Sequence, residues 1–474
     1  MQLREGRRGI GRAVVAVVVI VIIVLAGGVG YYFYSTSSGS HQILIGMPLP
    51  LNSPIGQNML DSAQMAVNQI NSAGGVTLNG TKYTFSIVSY DTQEADPSIP
   101  VANGLSGMNA LITQDKVNFL IGGYRSDVVL AELQTAAQNH MIYIALGADP
   151  GIAGSVAQNY NSNKYIFQGF TNSTQQNQQY GPLPVYMLMA YKEGLYPVNI
   201  TNIAVLGEQA AWTSGVIGNA TATNPAGSPL YGALKSVGFG VTYINYFPLS
   251  PPGGSYDSMF SQLASSGTQV IYILAAGTET PTLIKDWSTF NWAADSATGG
   301  KKPIMIGADV LSEFAGTGGA YNYYSDTSGG SSGQFTFGWG PFVSMPTPIT
   351  STSTAFYNNF TSTYSMNPIF EDGFVYSAVY YLKNAVQQAQ SLNSDRVIPY
   401  LEKTDYTGPM GTVQFTKYHG LNIALTPVPT IPAVAAQWHT DGKLYYVWSS
   451  TNPLTFVNVQ LPNGTVISSF TVKL

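Results

Sequence analysis

The residues best placed for chemistry lie in the stretch "NFLIGGYRSDVVLAELQTAAQ", residues 118–138. Its apolar run predicts a strand, the two glycines a turn, and the periodic apolar residues beyond Ser126 a helix over about 127–139. A serine at such a junction has two uses. Its hydroxyl can cap the helix, and the open N–H groups and positive dipole end of the helix can receive an anion. The local sequence leaves both readings open. Reactive chemistry is scarce elsewhere. The chain has no cysteine, which excludes disulfides, thiolate metal sites and a cysteine nucleophile. His41, His140, His419 and His439 are scattered without a second His or Glu at ligand spacing, and they read as surface or packed residues. No Gly-rich dinucleotide turn follows the first strand, and neither a P-loop lysine pattern nor a G-x-S-x-G elbow is found. The expectation is a protein without catalytic residues, metal or cofactor.

These residues need a large scaffold, and the chain can supply one. Its 474 residues fit two or three domains, and 45% hydrophobic composition can fill sizeable cores. Only 9% of residues are charged, against about a quarter in an ordinary soluble protein. A net charge of −5 gives no basic footprint for nucleic acid. At the N-terminus, Arg4, Arg7, Arg8 and Arg12 precede an uncharged apolar run over residues 13–29, followed by "GYYFY". Positive charge before such a run predicts a single-pass membrane anchor with everything after it extracytoplasmic. "RRGIGRAVV" also resembles the pilin-like signals of archaeal surface proteins, in which the apolar stretch is retained. Residues 1–34 are therefore read as signal and anchor, and residues 35–41, with "STSSGS", as a linker.

From Ile43 the pattern alternates strand and helix. "ILIGMPL" is followed by a helix with Met59, Ala63, Ala66, Val67 and Ile70 on one face, then by "TFSIVSYD", "NFLIGG" and "MIYIAL" with helical stretches between them. The alternation resumes with "NIAVLGE", "VTYINYF", "QVIYILAAG" and "KPIMIGAD", enough for a second sheet. Alternating units build parallel sheets covered by helices, so the expected fold class is α/β with two lobes. Helical segments follow near 354–365 and 372–390, and the chain closes on a hairpin around Asn463 and Gly464.

At this scale the sequence resembles the type I periplasmic solute-binding proteins, in the leucine/isoleucine/valine-binding branch. "ILIGMPLPLNSPIGQNMLDSAQMAVNQINSAGG" is similar to their opening, and "SYDTQEADP", "DKVNFLIGGYRS", "NIAVLGE", "VIYILAAG", "GPMGTVQF" and "AAQWHTDGKLYYVW" continue the likeness in order. The resemblance implies two Rossmann-like lobes joined by a three-stranded hinge. Lobe 1 comprises 42–170 with 335–430, lobe 2 comprises 171–334 with 431–452, and 453–474 is a C-terminal β-hairpin extension. It also implies an ABC importer's binding protein, with permease and ATPase subunits as partners and a branched-chain amino acid or similar small polar solute as ligand. In that likeness Ser126, with Tyr124 beside it, meets the ligand carboxylate, and Gly147 and Asp149 complete the grip. Trp212 covers the ligand, Asp309 receives its ammonium, and Phe374 forms a wall. Trp438 and His439 fall at the third crossover, as hinge packing. The chain departs from the family pattern at Asp149, which stands where a hydroxyl is usual. A carboxylate there repels a ligand carboxylate unless Arg125 or a water compensates. A ligand-sensing ectodomain and a structural surface protein are the other classes the same fold would serve.

Overall fold

Apolar strands rich in Ile, Val and Phe need cover on both faces, and parallel neighbours need long crossovers. The computed structural model meets both needs with two sheets. It describes residues 41–474 apart from positions 97, 181, 196–199, 276–279, 295–298, 301, 308–336, 341–348, 424–429, 442, 462 and 474. The expected anchor, 1–34, and the expected linker, 35–41, lie outside the described residues except for His41, which opens the first strand; Asp309 also lies outside them. Among the described residues no helix is long and apolar enough to cross a membrane.

The first sheet contains β1 (His41–Leu49), β2 (Val76–Leu78), β3 (Thr81–Asp91), β4 (Phe119–Gly122), β5 (Tyr143–Ala145) and β6 (Ile166–Gln168), in the order β2-β3-β1-β4-β5-β6. All pairs are parallel except β2 with β3, which form a hairpin. The crossover helices include α1 (Pro54–Ser72), α2 (Ala102–Asn109) and α3 (Ser126–Gln138), and α4 (Gly151–Gln158) follows β5. Pro54 opens α1 where a missing N–H costs nothing, and the Ser53 hydroxyl caps it by accepting the Ile55 N–H at 3.2 Å. Met59, Ala63, Ala66, Val67 and Ile70 face inward, as their spacing predicts, and Ile55 is buried with them. A later helix, α5 (Phe370–Ala389), lies against α1 and completes this core.

The second sheet begins with β7 (Asn202–Glu208), β8 (Gly240–Phe247), β9 (Val270–Leu274), β10 (Ile304–Ile306) and β11 (Phe337–Gly340), all parallel. A short hairpin, β12 (Tyr406–Gly408) and β13 (Gly411–Val413), stands apart. The chain then adds β14 (Val434–Trp438), β15 (Leu444–Ser449), β16 (Thr455–Gln460) and β17 (Val466–Thr471) antiparallel, giving β17-β16-β15-β14-β11-β10-β9-β7-β8. Two placements differ from the sequence reading. β11, within the 335–430 stretch expected in lobe 1, pairs in the second sheet. Trp438 and His439 do not sit at a crossover. Gly340 pairs with Val434 and Phe337 with Gln437, so β14 enters beside the carboxyl end of β11 and carries Trp438 and His439 to the opposite end. The reason is strand direction, which a motif match does not encode. The final hairpin is part of the core, with Phe456, Val459 and Val472 buried beside Leu188, Tyr191 and Leu195.

Candidate functional site: a loop cluster where the lobes meet

The strand β4 ends in a turn that only glycine can make. Gly122 and Gly123 have φ of +152° and +79°, and a Cβ on Gly122 would lie 2.6 Å from the Pro48 carbonyl oxygen. Gly123 donates its N–H to that same carbonyl at 2.8 Å, so the turn is held against the end of β1. The Tyr124 N–H then donates to Glu94 Oε1 at 3.0 Å. Arg125 fixes the turn from outside. Its guanidinium donates to the carbonyls of Glu94, Asp96 and Ile99 at 3.3, 3.0 and 3.1 Å, and to the Asp127 carboxylate at 2.7 Å.

The structure corrects the reading of Ser126 as a cap. The cap position belongs to Arg125, at φ −71° and ψ 121°, and Ser126 is the first helical residue. Its hydroxyl, 5% exposed, instead accepts the Ala148 N–H at 3.2 Å. This leaves the hydroxyl's own hydrogen to donate elsewhere. Ser126 and the 147–149 loop are thus joined directly. Gln168 braces that loop from β6, donating to the carbonyls of Gly147 and Asp149 at 2.9 Å each. The Asp149 carboxylate accepts the Gly151 N–H at 2.6 Å and shapes the entry to α4. It serves as a turn residue, and the Arg125 guanidinium is engaged with the 94–99 loop and Asp127.

From the second sheet, β7 runs into a 3-10 turn, Ala211–Thr213, that carries Trp212. The indole N–H donates to the Glu208 carboxylate, and the Thr213 hydroxyl donates to the Glu208 carbonyl at 2.8 Å. With its N–H engaged, the indole has its ring left to offer. Helix α3 is in contact with this turn, so the Ser126 helix of one lobe and the Trp212 turn of the other approach each other. Ala148 packs against the apolar cores of both lobes at the same place. The chain leaving β6 is tied in at the start of the helix Ser173–Tyr180 by a bond from the Ser173 N–H to the Ala148 carbonyl at 2.8 Å.

Tyr124 is half-buried against the first core. Phe374 is 1% exposed within α5, its ring 4.9 Å from that of Phe170 and 5.9 Å from that of Phe370, and it belongs to the core of the first lobe. The sequence reading missed Glu94, Glu132, Gln168 and Glu208, all buried. Glu208 carried a usable signal, an acid closing an otherwise apolar strand. Among the described residues, no group of three His, Cys, Asp or Glu is arranged to hold a metal ion.

Two α/β lobes with strand ends and helix N-termini turned toward a shared seam define a two-lobed binding protein. A family model, described as periplasmic binding protein, matches residues 42–428, and the chain belongs to that family. The Leu/Ile/Val-binding protein homolog 1 of Brucella abortus (strain 2308) is 30% identical over 109 residues, which span 22% of this chain and 27% of that protein. Among solved structures, the branched-chain amino acid transporter substrate-binding protein LivJ from Streptococcus pneumoniae, in complex with isoleucine, is 16% identical with a TM-score of 0.61. The alignment covers 86% of this chain and 98% of that one. The leucine-binding protein LivK from Thermotoga maritima is 14% identical, with a TM-score of 0.62 and the same coverage. A solute-binding protein of an ABC transporter from Rhodopseudomonas palustris, in complex with 3,4-dihydroxybenzoic acid, is 14% identical with a TM-score of 0.59, over 91% of this chain and 98% of that one. At these identities the likeness is one of fold.

Proposed function

We propose that this protein is the extracytoplasmic substrate-binding protein of an ABC importer. It captures a branched-chain amino acid or similar small polar solute by closing its lobes, performs no catalysis, and passes the ligand to permease and ATPase subunits. One observation carries the reading: Ser126, with a hydroxyl hydrogen free to donate, stands at the start of a helix that touches the Trp212 turn of the opposite lobe. A zwitterion leaving water needs a partner for each charge. Ser126 and the open N–H groups of α3 suit the carboxylate, the Trp212 ring suits an apolar side chain, and Asp309 is proposed for the ammonium. The named ligands of the relatives, leucine and isoleucine, support the amino acid reading. The anchor belongs to the proposal as well, resting on the apolar run over residues 13–29 behind four arginines.

Thermal unfolding with leucine, isoleucine, valine, amides, short peptides and 3,4-dihydroxybenzoate tests this directly. A ligand present at 100 times its Kd should add about 2.7 kcal/mol of stability. Loss of that gain in Trp212→Ala and Asp309→Ala would place the site. A chain that responds to none of these solutes would refute the proposal.

A further inference from the structure

Residues 414–422 form a loop on the first lobe that holds both ends of the chain leading from one lobe to the other. Phe415 and Leu421 bridge antiparallel at its base, the Thr416 N–H donates to the Gly420 carbonyl at 2.8 Å, and His419 turns the chain back at φ +61°. Its fastening to the first lobe is strong. His419 is fully buried, its ring stacks on Phe167 at 4.0 Å, and its Nδ1 and Nε2 lie 2.9 Å from the Ile166 carbonyl oxygen and 3.0 Å from Glu402 Oε1. The His419 carbonyl accepts the Gln168 N–H at 2.9 Å, so the loop is bonded to β6 at the residue whose side chain braces the 147–149 loop.

The fastening to the second lobe is lighter. Residues 169–172 lead from β6 to the helix Ser173–Tyr180, which packs on the helices Pro182–Ala190 and Ser214–Ile217 of the second lobe. A Cβ on Gly215 would lie 2.7 Å from Ser173 Oγ, so that packing is close. Asn172 and Gln175 cap the helix reciprocally: Asn172 Oδ1 accepts the Gln175 N–H at 2.9 Å, and Gln175 Oε1 accepts the Asn172 N–H at 3.0 Å. With its oxygen engaged there, the Gln175 amide presents Nε2 to the loop and donates to the Leu421 carbonyl at 2.5 Å. Leu421 is fully buried in the core of the first lobe, so this bond spans the lobes.

We propose that this loop is a strap over the connection between the lobes, and that Gln175 is a positioning residue whose bond to Leu421 holds the lobes in the close arrangement where α3 touches the Trp212 turn. The connection can flex at 169–172 only if one fastening yields. At the His419 end several bonds and a stacked ring must part together, whereas at the Gln175 end one neutral hydrogen bond gives way. That bond shifts the balance between close and open lobes by no more than it is worth. Gln168 ties the strap to the 147–149 loop, and the Ser173 N–H bonds the Ala148 carbonyl, so release is felt beside Ser126. The consequence for ligand affinity rests on the function proposed above. The consequence for lobe spacing does not.

The test therefore starts without ligand, in Gln175→Glu. An ionised carboxylate still accepts the Asn172 N–H and keeps the cap, but it has no hydrogen to give the Leu421 carbonyl. The chain has no cysteine, so Ser106→Cys on α2 and Ser265→Cys on the second lobe, both exposed, make a unique pair of spin-labelling sites. Pulsed electron resonance should give a narrow distance distribution with Gln175 in place and a broader one in Gln175→Glu; Gln175→Met is the second variant should the first not fold. Asn172→Asp, which keeps both the cap and the strap, should match the wild type. Identical distributions with and without Gln175, or equal broadening in Asn172→Asp, overturn the proposal. With isoleucine as probe, Kd should rise about two- to tenfold in Gln175→Glu, the worth of one neutral hydrogen bond, and stay unchanged in Asn172→Asp. An unchanged Kd beside a broadened distribution overturns the positioning role. Failure of every solute to bind, with the broadening intact, refutes the transport reading and leaves the strap standing.

Discussion

Ser126→Ala separates a structural serine from a ligand-binding one. The hydroxyl is nearly buried and accepts one bond, from the Ala148 N–H at 3.2 Å. Because Ser126 is not the cap, no capping energy is lost. The ligand-free cost is that of one hydrogen bond, about 1 kcal/mol, rising toward about 3 kcal/mol if the Ala148 N–H finds no other acceptor. The ligand cost is separate. A hydroxyl donating to a carboxylate contributes about 1.5–3 kcal/mol, so Kd should rise roughly 10- to 150-fold. Guanidinium unfolding without ligand measures the first quantity, and isothermal titration calorimetry with leucine and isoleucine measures the second. An unchanged Kd beside the expected loss of stability would refute the ligand role and leave Ser126 as a strut for the 147–149 loop.

Phe374→Ala should behave as a core deletion, lowering stability by about 3–5 kcal/mol in chemical denaturation; a loss below about 1 kcal/mol would contradict its packing on Phe170 and Phe370. Gly123→Ala must accept a positive φ and a Cβ 2.5 Å from both the Tyr143 oxygen and Val129, so we expect at least about 1–3 kcal/mol of destabilisation, visible as a lower Tm. Burial holds His439 below its ordinary range, and its ring stacks on Tyr445 at 4.1 Å. The folded state then binds fewer protons than the unfolded one, so this contribution is complete above about pH 6.5 and is lost as pH falls through the depressed value. Tm measured from pH 7 to pH 5 should fall less steeply in His439→Phe than in wild type, and identical slopes would exclude the mechanism.

Much of the first lobe was readable because its signals are local. The apolar run, the glycine pair and the helical periodicity of 118–138 each act within a few residues, and they give β4, the turn and α3 within one residue of their bounds. The role of Ser126 slipped by one position, since it depends on the extended backbone of Arg125, which no side-chain pattern declares. Asp149 makes the turn that its local chemistry predicts, just before Pro150. Glu132 is buried beneath α2, which packs flush on it through Gly104, a tertiary event with no periodicity to announce it. In the antiparallel half of the second sheet the closing hairpin around Asn463 and Gly464 was legible, but the placing of β14 beside β11 was not, because a strand's partner depends on the strands it reaches.

The way α1 and α5 pair also bears on how the molecule is made. The Ser62 hydroxyl donates to the Asp372 carbonyl at 2.6 Å across 310 residues of chain. A ribosome releases α1 early, then the five parallel strands of the other half, and only afterwards the helix that covers α1. The nascent N-terminal half therefore waits with an oily flank uncovered, a state in which long-range topologies are slow and prone to aggregate. Vectorial delivery across a membrane would shelter that flank until its distant partner emerges.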